Sequence, residues 1–281
     1  MMNWAELESI KLVFCTGSPK SGTTFLQMIL DNHPEVSCPP EHYLYSFLTE
    51  SLPKVFQSYN KSVEFIDKMT ARQGAPIFTD EDIKEVGKFV IKLAAYKGAK
   101  GRKVKWYGIK DDQLTERNGF SLLLELFPEA KFIGIIRDPR SVCVSSWYFN
   151  LRLDERWAEK IKSKENWAIA FSPIWVRDNT NLINFFKTQP EKVLLCRYED
   201  LVLNPFENYK RIFEFLGVST DKEVIEEVID KTSFKKFKDG KFFRKASIDD
   251  WKNELSPLAI KEIEKTCGHL MQLLGYKPMY W

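Results

Sequence analysis

Residues 17–24 read GSPKSGTT. They follow a short apolar run at 11–15 and open a segment, 23–30, in which Phe25, Leu26, Ile29 and Leu30 recur at helical spacing. Asn32, His33 and Pro34 then stop the helix. A strand that passes through a glycine turn straight into a helix exposes backbone N–H groups beside the positive end of a helix dipole. The stretch nearly fits the nucleotide-triphosphate loop G-x-x-x-x-G-K-[ST], with Gly17 and Gly22 correctly spaced. However, Thr23 stands where the lysine belongs, and Lys20 sits inside the loop. Ser21, Thr23 and Thr24 add hydroxyls, so the segment offers donors and positive charge to an anion such as phosphate or sulfate. The plainer alternative is a glycine turn with a solvated lysine.

The pattern continues as an alternation. Strands are expected over 104–109, 131–136 and 192–197. Helices are expected over 118–127, 141–149, 167–187, 205–216, 221–230 and 257–274. This predicts an α/β fold, a three-layer parallel sheet flanked by helices. Residues 41–100 break the alternation and read as a mainly helical insertion over the carboxyl edge of the sheet, where open α/β folds bind ligands. The 281 residues suit a single domain spanning 1–281.

Composition narrows the function classes. A net charge of +3 argues against a dedicated nucleic-acid binder. Cys15, Cys38, Cys143, Cys196 and Cys267 are odd in number, scattered and without a C-x-x-C pair, which argues against a disulfide framework or a zinc site. Buried thiols, a reducing compartment and a cytoplasmic location are the expectation. No run is long enough to predict a membrane span.

Two further stretches carry chemistry. Arg137 falls at the end of a strand, facing the same edge as the glycine loop, with Ser141 and Ser145 on one face of the following helix. Arg137 and Ser145 suit a second anion, although a surface ion pair would explain the arginine equally. Arg244 and Lys245 form a basic pair in an aromatic setting.

Together, in this order, the three stretches resemble the sulfotransferases that use 3′-phosphoadenosine 5′-phosphosulfate and release 3′,5′-adenosine bisphosphate. The resemblance covers roughly residues 10–275. It implies that Lys20, Ser21, Gly22, Thr23 and Thr24 cradle the 5′-phosphate and the sulfuryl group. Phe25, standing where the family often has tryptophan, would border adenine. Arg137, Ser145, Arg244, Lys245 and Ala246 would meet the 3′-phosphate, and Tyr198, Thr232, Ser233 and Phe234 would contact adenine. Ala246 and Asp249 replace two glycines of the family's late element.

Lys20 is the expected partner of the leaving phosphate. The base is less obvious. Lys110 matches the lysine of the cytosolic branch's K-T-H, but Asp112 stands in the histidine's place. Carbohydrate-type relatives use a glutamate after the loop helix, and Glu41 falls there. Glu41 is therefore the first expectation for the base, followed by Asp112 and His42. As plain surface groups these would be a solvated loop acid and a helix cap. The implied acceptor is a hydroxyl on a small molecule, lipid or glycan. No metal site is expected, and the oligomeric state is left open.

Two other readings compete. One is a P-loop kinase or ATPase, with Asp138 at a strand end as a magnesium ligand. The other is a non-catalytic module in which the basic residues bind a polyanion.

Overall fold

The computed structural model describes residues 4–40, 43–71, 74–233 and 248–281. Five parallel strands form one sheet in the order β2-β3-β1-β4-β5: β1 (Leu12–Thr16), β2 (Val36–Ser37), β3 (Trp106–Lys110), β4 (Lys131–Ile136) and β5 (Val193–Arg197). The chain leaves β1 toward one side of the sheet, fills it with β2 and β3, then crosses to β4 on the other side. The loop after β1 therefore sits at the reversal point of strand order, beside the loop after β4.

β1 is buried throughout, as a central parallel strand must be. Its alternation divides two cores. Val13 and Cys15 pack with Phe25, Leu26, Ile212 and Phe213, from the helices Thr23–Asp31 and Pro205–Leu216. Leu12 and Phe14 face the other way, onto Ile91, Phe120, Leu182 and Phe185. A third cluster joins Val142, Phe171, Trp175 and Ile263 from the helices Pro139–Leu153, Lys164–Thr188 and Pro257–Leu273.

The predicted strands and helices are present with ends shifted by a few residues. β2 was not expected: two residues carry no periodicity, and this strand exists through its pairing of Val36 with Trp106 and Ser37 with Tyr107. The helix expected over 141–149 begins earlier, at Pro139. Asp138 caps it by accepting a hydrogen bond from the Arg140 N–H at 2.9 Å, and proline suits the first helical position.

The 41–100 stretch is helical where described, and its parts differ in role. The helix Asp80–Gly98, opened by a Thr79/Asp82 capping box, covers one sheet face and is the crossover from β2 to β3. The short helix Leu44–Ser46 reaches the carboxyl edge, where the Tyr45 N–H donates to Asp111 at 2.9 Å. The helix Leu52–Thr70 stands apart, with only Leu52 buried. All five cysteines are free and buried. No helix among the described residues is long and apolar enough to cross a membrane.

Candidate active site

The loop after β1 owes its shape to two left-handed residues, Lys20 at φ 70° and Gly22 at φ 102°, on either side of Ser21. Such alternation turns successive N–H groups into one concavity. The Ser21 N–H closes the turn onto the Ser18 carbonyl at 3.0 Å. Gly22 then precedes the helix Thr23–Asp31 and supplies no side-chain cap. Orphan N–H groups of the first turn are thus left to the concavity.

Neighbouring elements hold the loop closely. A Cβ on Gly17 would lie 2.4 Å from the Ile135 carbonyl oxygen of β4. A Cβ on Gly22 would lie 2.5 Å from Cδ2 of Tyr198. Gly22→Ala is therefore expected to lower folding stability by about 1–3 kcal/mol through backbone strain and this clash. A urea melt checks it, and an unchanged midpoint would contradict the clash.

A cavity of about 80 Å³ opens on the loop, lined by Lys20, Gly22, Thr23, Thr24, Phe25, Arg137, Ser145 and Tyr198. Arg137 lies with its guanidinium 4.2 Å from the centre of the Tyr198 ring and donates a long hydrogen bond, 3.4 Å, to the Lys20 carbonyl. Phe25 meets Tyr198 edge-on at 5.9 Å. Ser21 Oγ and Arg137 Nε are buried polar atoms without a hydrogen-bond partner. Similar orphans occur elsewhere among the described residues, but Arg137 lines the cavity, where an anion could engage its guanidinium. A larger groove of about 560 Å³ lies elsewhere, beside Ile10, Leu12 and Phe89, and lacks this set of donors.

The Lys20 ammonium rests 3.7 Å from the centre of the Phe149 ring. Its pKa is lowered to about 8, first by burial and then by the positive charges of Arg152, Lys110 and Arg137, while Asp112 opposes the shift. The cluster is poised to accept negative charge. Lys110 is buried at the end of β3. Asp112 precedes the short helix Gln113–Glu116 without capping it through its side chain.

Other expected residues are placed differently. Thr232 is buried at the end of the helix Lys222–Thr232, donating to the Val228 carbonyl at 2.7 Å and lying 3.1 Å from the Tyr209 hydroxyl. Ser233 ends that helix, and neither residue lines the cavity. Glu41, His42, Phe234, Arg244, Lys245 and Ala246 lie outside the described residues.

The structure also shows supports that the sequence reading missed. Ser18 donates to Asp178 at 2.9 Å, tying the loop to the long helix Lys164–Thr188. Burial pushes the Asp178 carboxyl above its ordinary range, although Arg177 and Ser18 both stabilise the charge. Asp138 accepts from the Arg140 backbone N–H, from Nε at 3.0 Å and from Nη2 at 2.6 Å. Arg140 also bonds Glu264 at 2.7 Å and stacks 3.8 Å from Trp251. Glu199 accepts from the Asp138 N–H at 3.0 Å and the Tyr276 hydroxyl at 2.9 Å. The D-P-R run could have signalled the cap and its arginine. Nothing local signals a partner 160 residues away, as for Ser18 and Asp178.

With this geometry in place, comparisons locate the chain among known proteins. A model of the sulfotransferase family matches residues 13–222. A protein-tyrosine sulfotransferase of Drosophila melanogaster is 28% identical over 225 residues, covering 78% of this chain and 41% of that protein. Carbohydrate sulfotransferase 1 of Danio rerio is 27% identical over 193 residues, covering 63% of this chain and 46% of that protein. The match thus spans about half the length of these curated relatives. Among solved structures, the sulfotransferase domain of the Synechococcus PCC 7002 olefin synthase shares the fold, with a TM-score of 0.59 at 20% identity, covering 98% of this chain and 99% of that one. A mouse sulfotransferase complexed with PAP, 3′,5′-adenosine bisphosphate, gives a TM-score of 0.55 at 15% identity, over 95% and 88%.

Proposed function

Because this chain belongs to the sulfotransferase family, we propose that it moves a sulfuryl group from 3′-phosphoadenosine 5′-phosphosulfate to an acceptor hydroxyl. The observation that carries this reading is the donor-lined cavity. It gathers Lys20, Gly22, Thr23, Thr24, Phe25, Arg137, Ser145 and Tyr198 from separate segments, with the unpartnered Nε of Arg137 among the lining residues' polar atoms. Lys20 to Thr24 would hold the 5′-phosphate and sulfuryl group, and Arg137 with Ser145 the 3′-phosphate. Phe25 and Tyr198, buried rings at the cavity wall, are proposed to border the adenine on the family resemblance. Arg244, Lys245 and Ala246 are proposed for the 3′-phosphate on the family resemblance alone, as are Thr232, Ser233 and Phe234 for the adenine.

In the transfer, the acceptor oxygen bonds to sulfur as the bond from sulfur to the phosphate oxygen breaks. The Lys20 ammonium would meet the charge that develops on the leaving phosphate. The acceptor's proton passes to a general base, proposed as the Glu41 carboxylate, then Asp112, then the His42 imidazole. Lys110 adds positive charge beside Lys20. Names of relatives include protein-tyrosine, carbohydrate and steroid sulfotransferases, so the acceptor is proposed only as a hydroxyl compound.

Asp138 weighs against the ATPase reading, since its carboxylate is engaged by Arg140 rather than left for magnesium. Calorimetry separates the readings. 3′,5′-Adenosine bisphosphate is expected to bind at least about tenfold more tightly than ATP with magnesium, a preference worth roughly 1.4 kcal/mol. The opposite order would overturn the proposed donor.

A further inference from the structure

The helix Leu52–Thr70 carries most of its large apolar side chains on its outside. Val55, Tyr59, Phe65, Ile66 and Met69 are all exposed, Phe65 at 62% and Met69 at 69%. At 100° per residue they fall on one arc. Lys54, Lys61 and Lys68 recur every seven residues and line one border of that arc, and all three are exposed. The helix's two carboxylates, Glu64 and Asp67, lie on its half-buried side instead. Asp67 is further occupied, accepting from the Gly74 N–H at 2.8 Å. The outward face is therefore mainly apolar and cationic, with the small hydroxyls of Ser58 and Ser62 among the apolar side chains and no acidic residue.

The face is also built. The Asn60 amide clamps the backbone of Phe78, donating to its carbonyl at 2.7 Å and accepting from its N–H at 2.9 Å. Phe78 then packs edge-on to Phe56 at 4.6 Å and beside Tyr59 at 5.3 Å. Exposed Ile77 extends the apolar surface beyond the helix.

We propose that this face docks the protein on an anionic lipid surface, with the helix lying in the interface plane. A row of lysines bordering a strip of aromatic, aliphatic and methionine side chains is the chemistry of an interfacial helix. The lysines meet the headgroups while the apolar arc enters the acyl boundary. A second copy of the chain fits less well: its lysine row would find no acidic row on the same arc. A peptide partner fits less well too, because the face is a convex ridge and peptides are gripped in grooves or along sheet edges. The inference does not rest on the sulfuryl-transfer reading, since membrane docking is measured without turnover.

Flotation with vesicles tests it. The protein is expected to float with phosphatidylcholine/phosphatidylserine vesicles, to bind phosphatidylcholine alone at least about tenfold less, and to be released by salt. A Phe65→Ser/Met69→Ser variant and a Lys54→Gln/Lys61→Gln/Lys68→Gln variant should each lose about tenfold or more of this binding. Their circular dichroism and melting should stay unchanged, because every altered position is exposed. Failure of the unaltered protein to float, or binding by either variant equal to that of the unaltered protein, overturns the proposal. So does a dimer in sedimentation that the Phe65/Met69 variant converts to monomer, or capture of an acidic peptide in place of the vesicles.

Discussion

Lys20→Ala is expected to lower kcat by about a hundred- to a thousandfold, the usual cost of removing one preorganised donor from a developing negative charge. Binding of 3′,5′-adenosine bisphosphate should weaken much less, because backbone N–H groups and hydroxyls of the same loop remain. Single-turnover transfer with a labelled sulfuryl donor reads the first quantity and calorimetry the second. A variant that transfers at the original rate would remove Lys20 from the mechanism. The same lysine sets a pH dependence. Its pKa is lowered to about 8, chiefly by burial, and the protonated form is the one that meets the leaving phosphate. Accordingly, kcat/KM, which reports the free enzyme, should fall as pH rises through about 8. Bound donor brings negative charge to the cluster, so the basic limb of kcat should lie higher. A kcat/KM profile that stays flat from neutrality to well above this value would contradict the assignment.

Glu41→Gln is the second large effect. Loss of a general base costs about 10²–10⁴ in rate, and the donor affinity should barely change, because the carboxylate serves the acceptor. Asp112→Asn, made beside it, is the control with the most force. Asp112 acts electrostatically on Lys20 and favours its charged form, so removing that charge should shift the basic limb of kcat/KM to lower pH. Comparing turnover at a pH well below that limb keeps the two effects apart. A near-normal rate for Glu41→Gln with a collapsed rate for Asp112→Asn would move the base to Asp112.

Much of the fold was legible because its signals are local. The apolar run before Gly17 and the helical spacing of Phe25, Leu26, Ile29 and Leu30 place a strand–loop–helix unit within twenty residues. The edge strand β2 was not legible, since Val36 and Ser37 become a strand only by pairing with β3. The stretch 41–100 shows a subtler limit. Its helices are written in its periodicity, yet nothing in that pattern distinguishes the helix Asp80–Gly98, which walls the core, from Leu52–Thr70, which turns its apolar side outward. An amphipathic pattern states that one side is apolar; the surrounding chain decides whether that side is covered.

The candidate site divides in the same way. From the sequence alone came the donor-rich loop, the misplaced lysine and the order of motifs that resembles the sulfotransferases. These are short, contiguous patterns whose chemistry depends on residue type and spacing. The tertiary structure decided which residues meet. Tyr198 packs against Gly22 and Arg137, Ser18 is anchored on Asp178, and the Thr232 hydroxyl meets Tyr209 and its own helix. It also engaged Asp138 with Arg140, which removed the acid that a strand-end pattern had offered to magnesium. Apart from Asp138 with Arg140 and the bond of Thr232 within its own helix, which are local, these pairings join positions tens to well over a hundred residues apart. They are set by how the sheet closes and which helices cover it, and no window of local sequence contains that information.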